Sequence, residues 1–189
     1  VAKCLADEVR AERNTRVLDL CTGQGVVAAE LANRGASVMG LDFSEAMIEI
    51  AKVSVPQAEF VQGDAVDMQF QDASFDAITI GFGVPHFPDT KRGLQEAARG
   101  LKPGGRIAFS IWYGKGSNGS FGWLFQAFEK FGDPAITLPP GPDAHMMVDR
   151  AVAEPLMVET GFKDFRLNEV DSQLKINSPE ELFDVFDQG

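Results

Sequence analysis

The chain has 189 residues, of which 17 are basic and 28 acidic, for a formal net charge of −11. Such an excess of negative charge repels phosphate backbones, and with no Lys/Arg cluster in the sequence it argues against DNA or RNA as a partner. At 44% hydrophobic and 24% charged residues, the chain can build one domain with a substantial core, is short for two, and holds no apolar run near the ~20 residues that span a bilayer.

Val1–Arg13 has the spacing of an amphipathic helix, with Val1, Leu5 and Val9 on one face. Val17–Leu20 reads as a strand and Val26–Asn33 as a helix closed by Gly35. Ser37–Leu41 is a second strand. Ser44 can cap a helix over Glu45–Val53, because its hydroxyl accepts an otherwise orphaned backbone N–H. Glu59–Gln62 is a short third strand, and Phe75–Ile80 (FDAITI) a fourth, apolar enough to be buried on both faces. Thr90–Gly100 is helical, Pro103-Gly104-Gly105 is turn chemistry, and Arg106–Trp112 makes a fifth strand. This alternation predicts a parallel sheet with right-handed crossovers, the doubly wound α/β class.

The pattern loosens after Tyr113. Gly114–Gly119 is a Gly/Ser/Asn loop, Phe121–Phe131 an aromatic helix, and Pro134–Pro142 holds four prolines. Glu154–Thr160 reads as a helix ended by Gly161, and Phe165–Ile176 as an extended segment. Ser178-Pro179-Glu180-Glu181 has the composition of a capped helix start. Cys4 and Cys21 are too few for a disulfide framework and fit no metal spacing, which points to a reducing, cytoplasmic setting. With His86 and His145 the only histidines, a multi-histidine metal centre is excluded by count. The chain begins with Val rather than Met and shows no signal peptide, so the expectation is that an N-terminal piece is missing.

The most informative stretch is VLDLCTGQGVVAAELA, Val17–Ala32. In an open α/β sheet, ligands sit beyond the carboxyl ends of the strands, where the first strand-to-helix loop lies. Gly23 and Gly25 remove Cβ atoms that would hold a ligand off, and the next helix offers free N–H groups. A tight turn alone would also explain the glycines. Two acids beside the loop point further. Asp42 follows the second strand, where a carboxylate can accept both hydroxyls of a ribose. Asp64 follows the third, where it could accept from an adenine amine while Ala65 donates its N–H. None of the three loops holds Lys or Arg. The third glycine of a dinucleotide loop and the Gly-Lys-Ser/Thr of a P-loop are both absent. The expected ligand is a nucleoside without phosphates.

In order and spacing, VLDLCTGQG, GLDFSEAMIEIA, FVQGDAVDMQF, FDAITIGFGV and LKPGGRIAFSIW resemble the class I S-adenosylmethionine-dependent methyltransferases, and among them the ubiquinone/menaquinone C-methyltransferase-like (methyltransferase type 11) group. The resemblance covers roughly residues 16–112. It implies a seven-stranded sheet in the order 3-2-1-4-5-7-6, with one convincing strand, Phe165–Ile176, where two are expected after the fifth. It also implies a cofactor-binding core in residues 1–113, and the variable cover and C-terminal part of the same domain in residues 114–189. Asp19, Gly23, Gln24 and Gly25 would surround the methionine half of S-adenosyl-L-methionine, Asp42 the ribose, Asp64 with Ala65 the adenine, and Gly81 the amino acid part. Cys21, Phe43 and Met47 would line the same site. Two departures stand out. Cys21 replaces the usual first loop glycine, and Pro85-His86 stands where the quinone group has Arg-Asn, which argues against a quinone acceptor.

The implied activity is methyl transfer to a small, apolar or aromatic molecule, by a chain without a membrane span and with a homodimer allowed. Phe82, Trp112 and Tyr113 could offer aromatic faces to a sulfonium cation, or serve as packing. Trp112, Tyr113 and His86 are the candidate acceptor contacts. His86 is the candidate base, since its ordinary pKa of ~6.5 suits a proton acceptor; a histidine that only shapes the pocket is the other reading. His145 is a weaker candidate, and Cys21 has no neighbouring base to make it a nucleophile. A non-catalytic S-adenosylmethionine-binding module and a dinucleotide-dependent oxidoreductase remain open.

Overall fold

The computed structural model describes residues 1–112, 120–133, 146–171, 178 and 180–181. Five parallel strands form one sheet: β1 (Arg16–Leu20), β2 (Ser37–Asp42), β3 (Glu59–Gln62), β4 (Phe75–Gly81) and β5 (Leu101–Ser110). Their order is β3-β2-β1-β4-β5, so chain order reverses between β1 and β4. The α/β expectation holds, and the order matches the first five positions expected. No sixth or seventh strand occurs among the described residues. Residues 165–171 lie outside any strand, and the rest of the expected Phe165–Ile176 segment falls beyond the described residues.

The helices are α1 (Ala2–Glu8), α2 (Val26–Asn33), α3 (Glu45–Ser54), α4 (Thr90–Gly100), α5 (Ser120–Phe131) and α6 (Arg150–Glu159). None among the described residues is long and apolar enough to cross a membrane. Strand alternation sorts the core onto two faces. Val17, Val38, Ala77 and Ala108 pack under α1 and α2 with Leu5, Val9 and Leu31. Leu18, Leu20, Ile78 and Ile80 pack against Leu94 and Ala97 of α4 and Ala153 and Met157 of α6.

Several boundaries differ from the expectation. α1 ends at Glu8, well before Arg13, because Arg10 and Asn14 turn to positive φ (57° and 74°). α6 begins four residues early, at Arg150, where the Asp149 carboxylate accepts from the Ala151 N–H at 2.8 Å. β5 starts at Leu101 rather than Arg106 and ends at Ser110. Phe75 pairs with Leu101 but Ala77 with Arg106, so Pro103-Gly104-Gly105 forms a bulge inside the strand, with Gly104 at φ 81°. Other local signals act as expected. Ser44 Oγ accepts from Met47 N–H, Gly35 closes α2 at φ 85°, and Ser178 Oγ accepts from Glu181 N–H. Pro179 lies outside the described residues.

Candidate functional site

Asp42 ends β2 and is 6% exposed, and it is the hub of the carboxyl edge. One carboxylate oxygen accepts from Gly23 N–H at 2.8 Å and the other from Ser44 N–H at 3.0 Å. Its carbonyl accepts from Gly63 N–H at 2.9 Å, and the Leu41 carbonyl accepts from Thr22 N–H at 3.0 Å. Gln62 adds a bond from its side-chain amide to the Phe43 carbonyl at 3.0 Å. The loops after β1, β2 and β3, which the sequence brings together only by fold-class argument, are thus laced to one another. Each Asp42 oxygen keeps a lone pair for a further donor.

Gly23 and Gly25 do different work. A Cβ on Gly23, at φ 53°, would meet nothing within 4 Å, so this glycine faces open space. Gly25, at φ 86°, faces inward, and a Cβ there would lie 3.1 Å from Val55 and 3.5 Å from the Phe60 ring. Gly23 is therefore the place of close approach, and Gly25 lets α2 start against α3. Gln24 is exposed between them.

Asp19 lies beneath this loop, fully buried on β1. It accepts from the hydroxyls of Thr22 (2.7 Å) and Thr79 (2.8 Å) and from the backbone N–H of Ala28 in the first turn of α2. Burial still dominates and pushes its pKa from 3.8 up to about 6. Cys21 adopts φ 57°, a left-handed conformation usually left to glycine. Its thiol is pushed up to about 12, first by burial and then by the negative charges of Asp42, Asp19 and Asp64. A thiol so protonated is no nucleophile at neutral pH. Three carboxylates from three segments act on this one thiol, so the edge carries negative potential.

Asp64 is exposed and accepts from Val66 N–H at 2.9 Å, while the neighbouring Ala65 is buried. Phe43 is 76% exposed at the end of β2, with Met47 half-buried one turn into α3. Gly81 ends β4 beside α2, where a Cβ would stand 3.0 Å from Val27. Phe82, at φ 59°, leaves β4 in the same left-handed conformation as Cys21, and its N–H donates to Ser110 Oγ at 3.1 Å. Its ring stacks on Trp112, with centroids 4.3 Å apart and planes 12° from parallel. His86 is exposed in the 3-10 turn Val84–His86. Tyr113 and His145 lie outside the described residues.

Sequence reasoning missed Thr22, Thr79, Gln62, Ser110 and Gly83. A hydroxyl three residues after Asp19 was the one local signal for Thr22. The others act across strands.

The residues fit a nucleoside bearing a cation. Gly23 leaves space in front of the backbone, Asp42 beside it retains acceptor capacity, and the surrounding charge is negative with no basic side chain in the three loops.

The family described as "Methyltransferase domain" matches residues 18–109. A demethylmenaquinone methyltransferase of Clavibacter sepedonicus is 47% identical over 95 residues, covering 49% of this chain and 39% of its own length. One from Chlorobaculum tepidum is 43% identical over 105 residues, covering 55% of this chain and 43% of its own. The chain therefore spans less than half the length of these relatives. Among solved structures, a TehB-like SAM-dependent methyltransferase of Corynebacterium glutamicum is 28% identical, with a TM-score of 0.53 over 68% of this chain and 70% of that one. A SAM dependent methyltransferase of Aquifex aeolicus shares the fold at a TM-score of 0.66, over 89% of this chain and 83% of its own, at 18% identity.

Proposed function

We infer that this chain, whose residues 18–109 match a methyltransferase-domain family and which resembles the class I S-adenosylmethionine-dependent methyltransferases of the quinone group, binds S-adenosyl-L-methionine along the carboxyl edge of β1–β4 and transfers the methyl to a small apolar or aromatic acceptor. One observation carries this reading: Asp42 draws the glycine loop and the β2–α3 turn together in a negatively charged edge without a basic side chain. Such an edge repels phosphates and suits a cationic nucleoside.

The bound cofactor supplies a methyl already activated on a sulfonium. The protein's part is to align and to exclude water, which in good cases contributes ~7–11 kcal/mol. Asp42 would accept from the ribose hydroxyls, and Asp64 with Ala65 would hold the adenine, with Phe43 and Met47 lining the same site. Asp19, Gly23, Gln24, Gly25 and Gly81 form the methionine end. Trp112, stacked on Phe82, offers an aromatic face to the acceptor, and Tyr113 is an acceptor contact inferred from the sequence alone. The acceptor would receive that methyl, and His86 would take the acceptor's proton where one must leave. Two free cysteines suit a reducing cytoplasm.

Titration calorimetry with S-adenosylmethionine tests the site. The wild type binds, and Asp42→Ala and Asp64→Ala each weaken binding. If both variants bind like the wild type, the assignment fails, and preference for a nicotinamide dinucleotide would replace it with an oxidoreductase. Mass spectrometry of cell extract incubated with labelled cofactor tests the transfer, with demethylmenaquinone among the added acceptors. Bound cofactor without any methylated product would make this a non-catalytic binding module. In the same assay, His86→Ala lowers turnover more than cofactor affinity; an unchanged rate removes it from the mechanism.

A further inference from the structure

The connection from Gly63 to Ser74 carries Asp64 and Ala65 yet contains no helix or strand. A segment of this length keeps its place only if something else holds it. The holder is one face of α4. Arg92, Glu96 and Arg99 stand four and three residues apart, the spacing that puts side chains on one side of a helix.

Arg92 Nε donates to the Val66 carbonyl at 3.1 Å. The Glu96 carboxylate accepts from Met68 N–H at 3.0 Å. Arg99 donates to the carbonyls of Met68 (2.8 Å) and Phe70 (2.7 Å) and to the Asp72 carboxylate (2.7 Å). Where the helix ends, the carbonyls of Arg99 and Gly100 accept from Ala73 and Ser74, each at 2.9 Å. Glu96 is 4% exposed but paired with Arg99 at 2.8 Å, so its buried charge is compensated. Apolar anchors add to this, with Met68 buried and Phe70 edge-on to Phe75 at 5.1 Å.

Val66 is the decisive residue. Its N–H is taken by the Asp64 carboxylate and its carbonyl by Arg92. The chain immediately after Asp64 is thus held from both sides, and Met68 is held two residues later. We propose that Arg92, Glu96 and Arg99 are positioning residues for the adenosine half of the cofactor: α4 sets where Asp64 and Ala65 stand, without touching the ligand. This rests on the assignment of Asp64 to the adenine given above.

Calorimetry with S-adenosylmethionine, together with amide hydrogen exchange over residues 63–72, tests it in wild type, Arg92→Ala, Arg99→Lys, Asp64→Ala and the pair Arg92→Ala/Asp64→Ala. Arg92→Ala and Arg99→Lys each weaken binding roughly fivefold and speed exchange at residues 64–70. Adding Asp64→Ala to Arg92→Ala costs less than it does alone, because both changes act on one contact. Arg92 lies at the surface, so its variant still reports if Arg99→Lys fails to fold. Wild-type affinity in Arg92→Ala, or strict additivity with Asp64→Ala, overturns the proposal while a weakened Asp64→Ala keeps the site. Loss of effect in both Asp42→Ala and Asp64→Ala sinks the site itself, and this proposal with it.

Discussion

At Cys21 a residue with a Cβ occupies a backbone region that costs about 1–3 kcal/mol outside glycine. Its side chain is accommodated across the sheet edge by a missing one. A Cβ on Gly83 would stand 2.5 Å from Cys21 Cβ and 2.9 Å from both Cys21 Sγ and Ile80. Gly83→Ala is therefore expected to lower stability by about 1–3 kcal/mol, as overpacking does. Cys21→Gly in the same chain should recover part of that loss in a denaturant melt; equal loss with and without Cys21→Gly would refute the contact. Asp19 makes a second prediction. Its folded pKa of about 6 lies above the 3.8 of the exposed group. The folded state thus holds the proton more tightly, so this group's contribution is greatest below pH ~4 and is lost as pH rises through about 6. Asp19→Asn, which cannot ionise, should gain stability relative to the wild type as pH rises from 4.5 to 7.5, by about 2 kcal/mol. Paired melts across that range measure it, and a pH-independent difference would refute it.

At the scale of elements, the site depends on β3 lying close to β2. Gly40 in the middle of β2 permits this, since a Cβ there would fall 2.4 Å from the Phe60 ring of β3 and 3.0 Å from Thr22. Gly40→Ala should push Phe60 away, lower the melting temperature, and weaken S-adenosylmethionine binding, because Asp42 and Gly63 share a hydrogen bond at the end of that strand pair. A variant less stable but unchanged in affinity would show that the strand pair does not set the site. Much of this level was legible in advance. The bounds of α2 and α4 agree with the expectation, because their ends are set locally: Gly35 closes α2, and the Asp89 carboxylate caps α4 by accepting from Arg92 N–H. α6 starts at Arg150, ahead of the expected Glu154, because the Asp149 carboxylate caps it. β5 gained its first residues because a bulge absorbs turn chemistry within a strand. The α4 clamp was not legible, because its partners sit on a segment remote in sequence.

For the whole molecule, charge is the broadest determinant. The net −11 and the carboxylates at the carboxyl edge favour a ligand of net positive charge over a neutral one. S-adenosylmethionine carries a net positive charge, whereas S-adenosylhomocysteine is neutral overall. Raising ionic strength should therefore weaken the first in calorimetry and leave the second nearly unchanged, since screening acts on net charge. Equal salt dependence for both would remove long-range electrostatics from recognition.

The sequence by itself determined the alternation of strands and helices, the glycine loop, the two acids after the second and third strands and the lack of Lys and Arg in the three loops. Each of these is written within a few neighbouring residues. Only the tertiary structure decided which glycine faces open space, that Asp42 ties the loops together, that Cys21 fits against Gly83, and that α4 holds the segment bearing Asp64. Those relations join residues that meet only once the parallel strands are in register, and register is set by packing of the whole sheet rather than by any one stretch of chain.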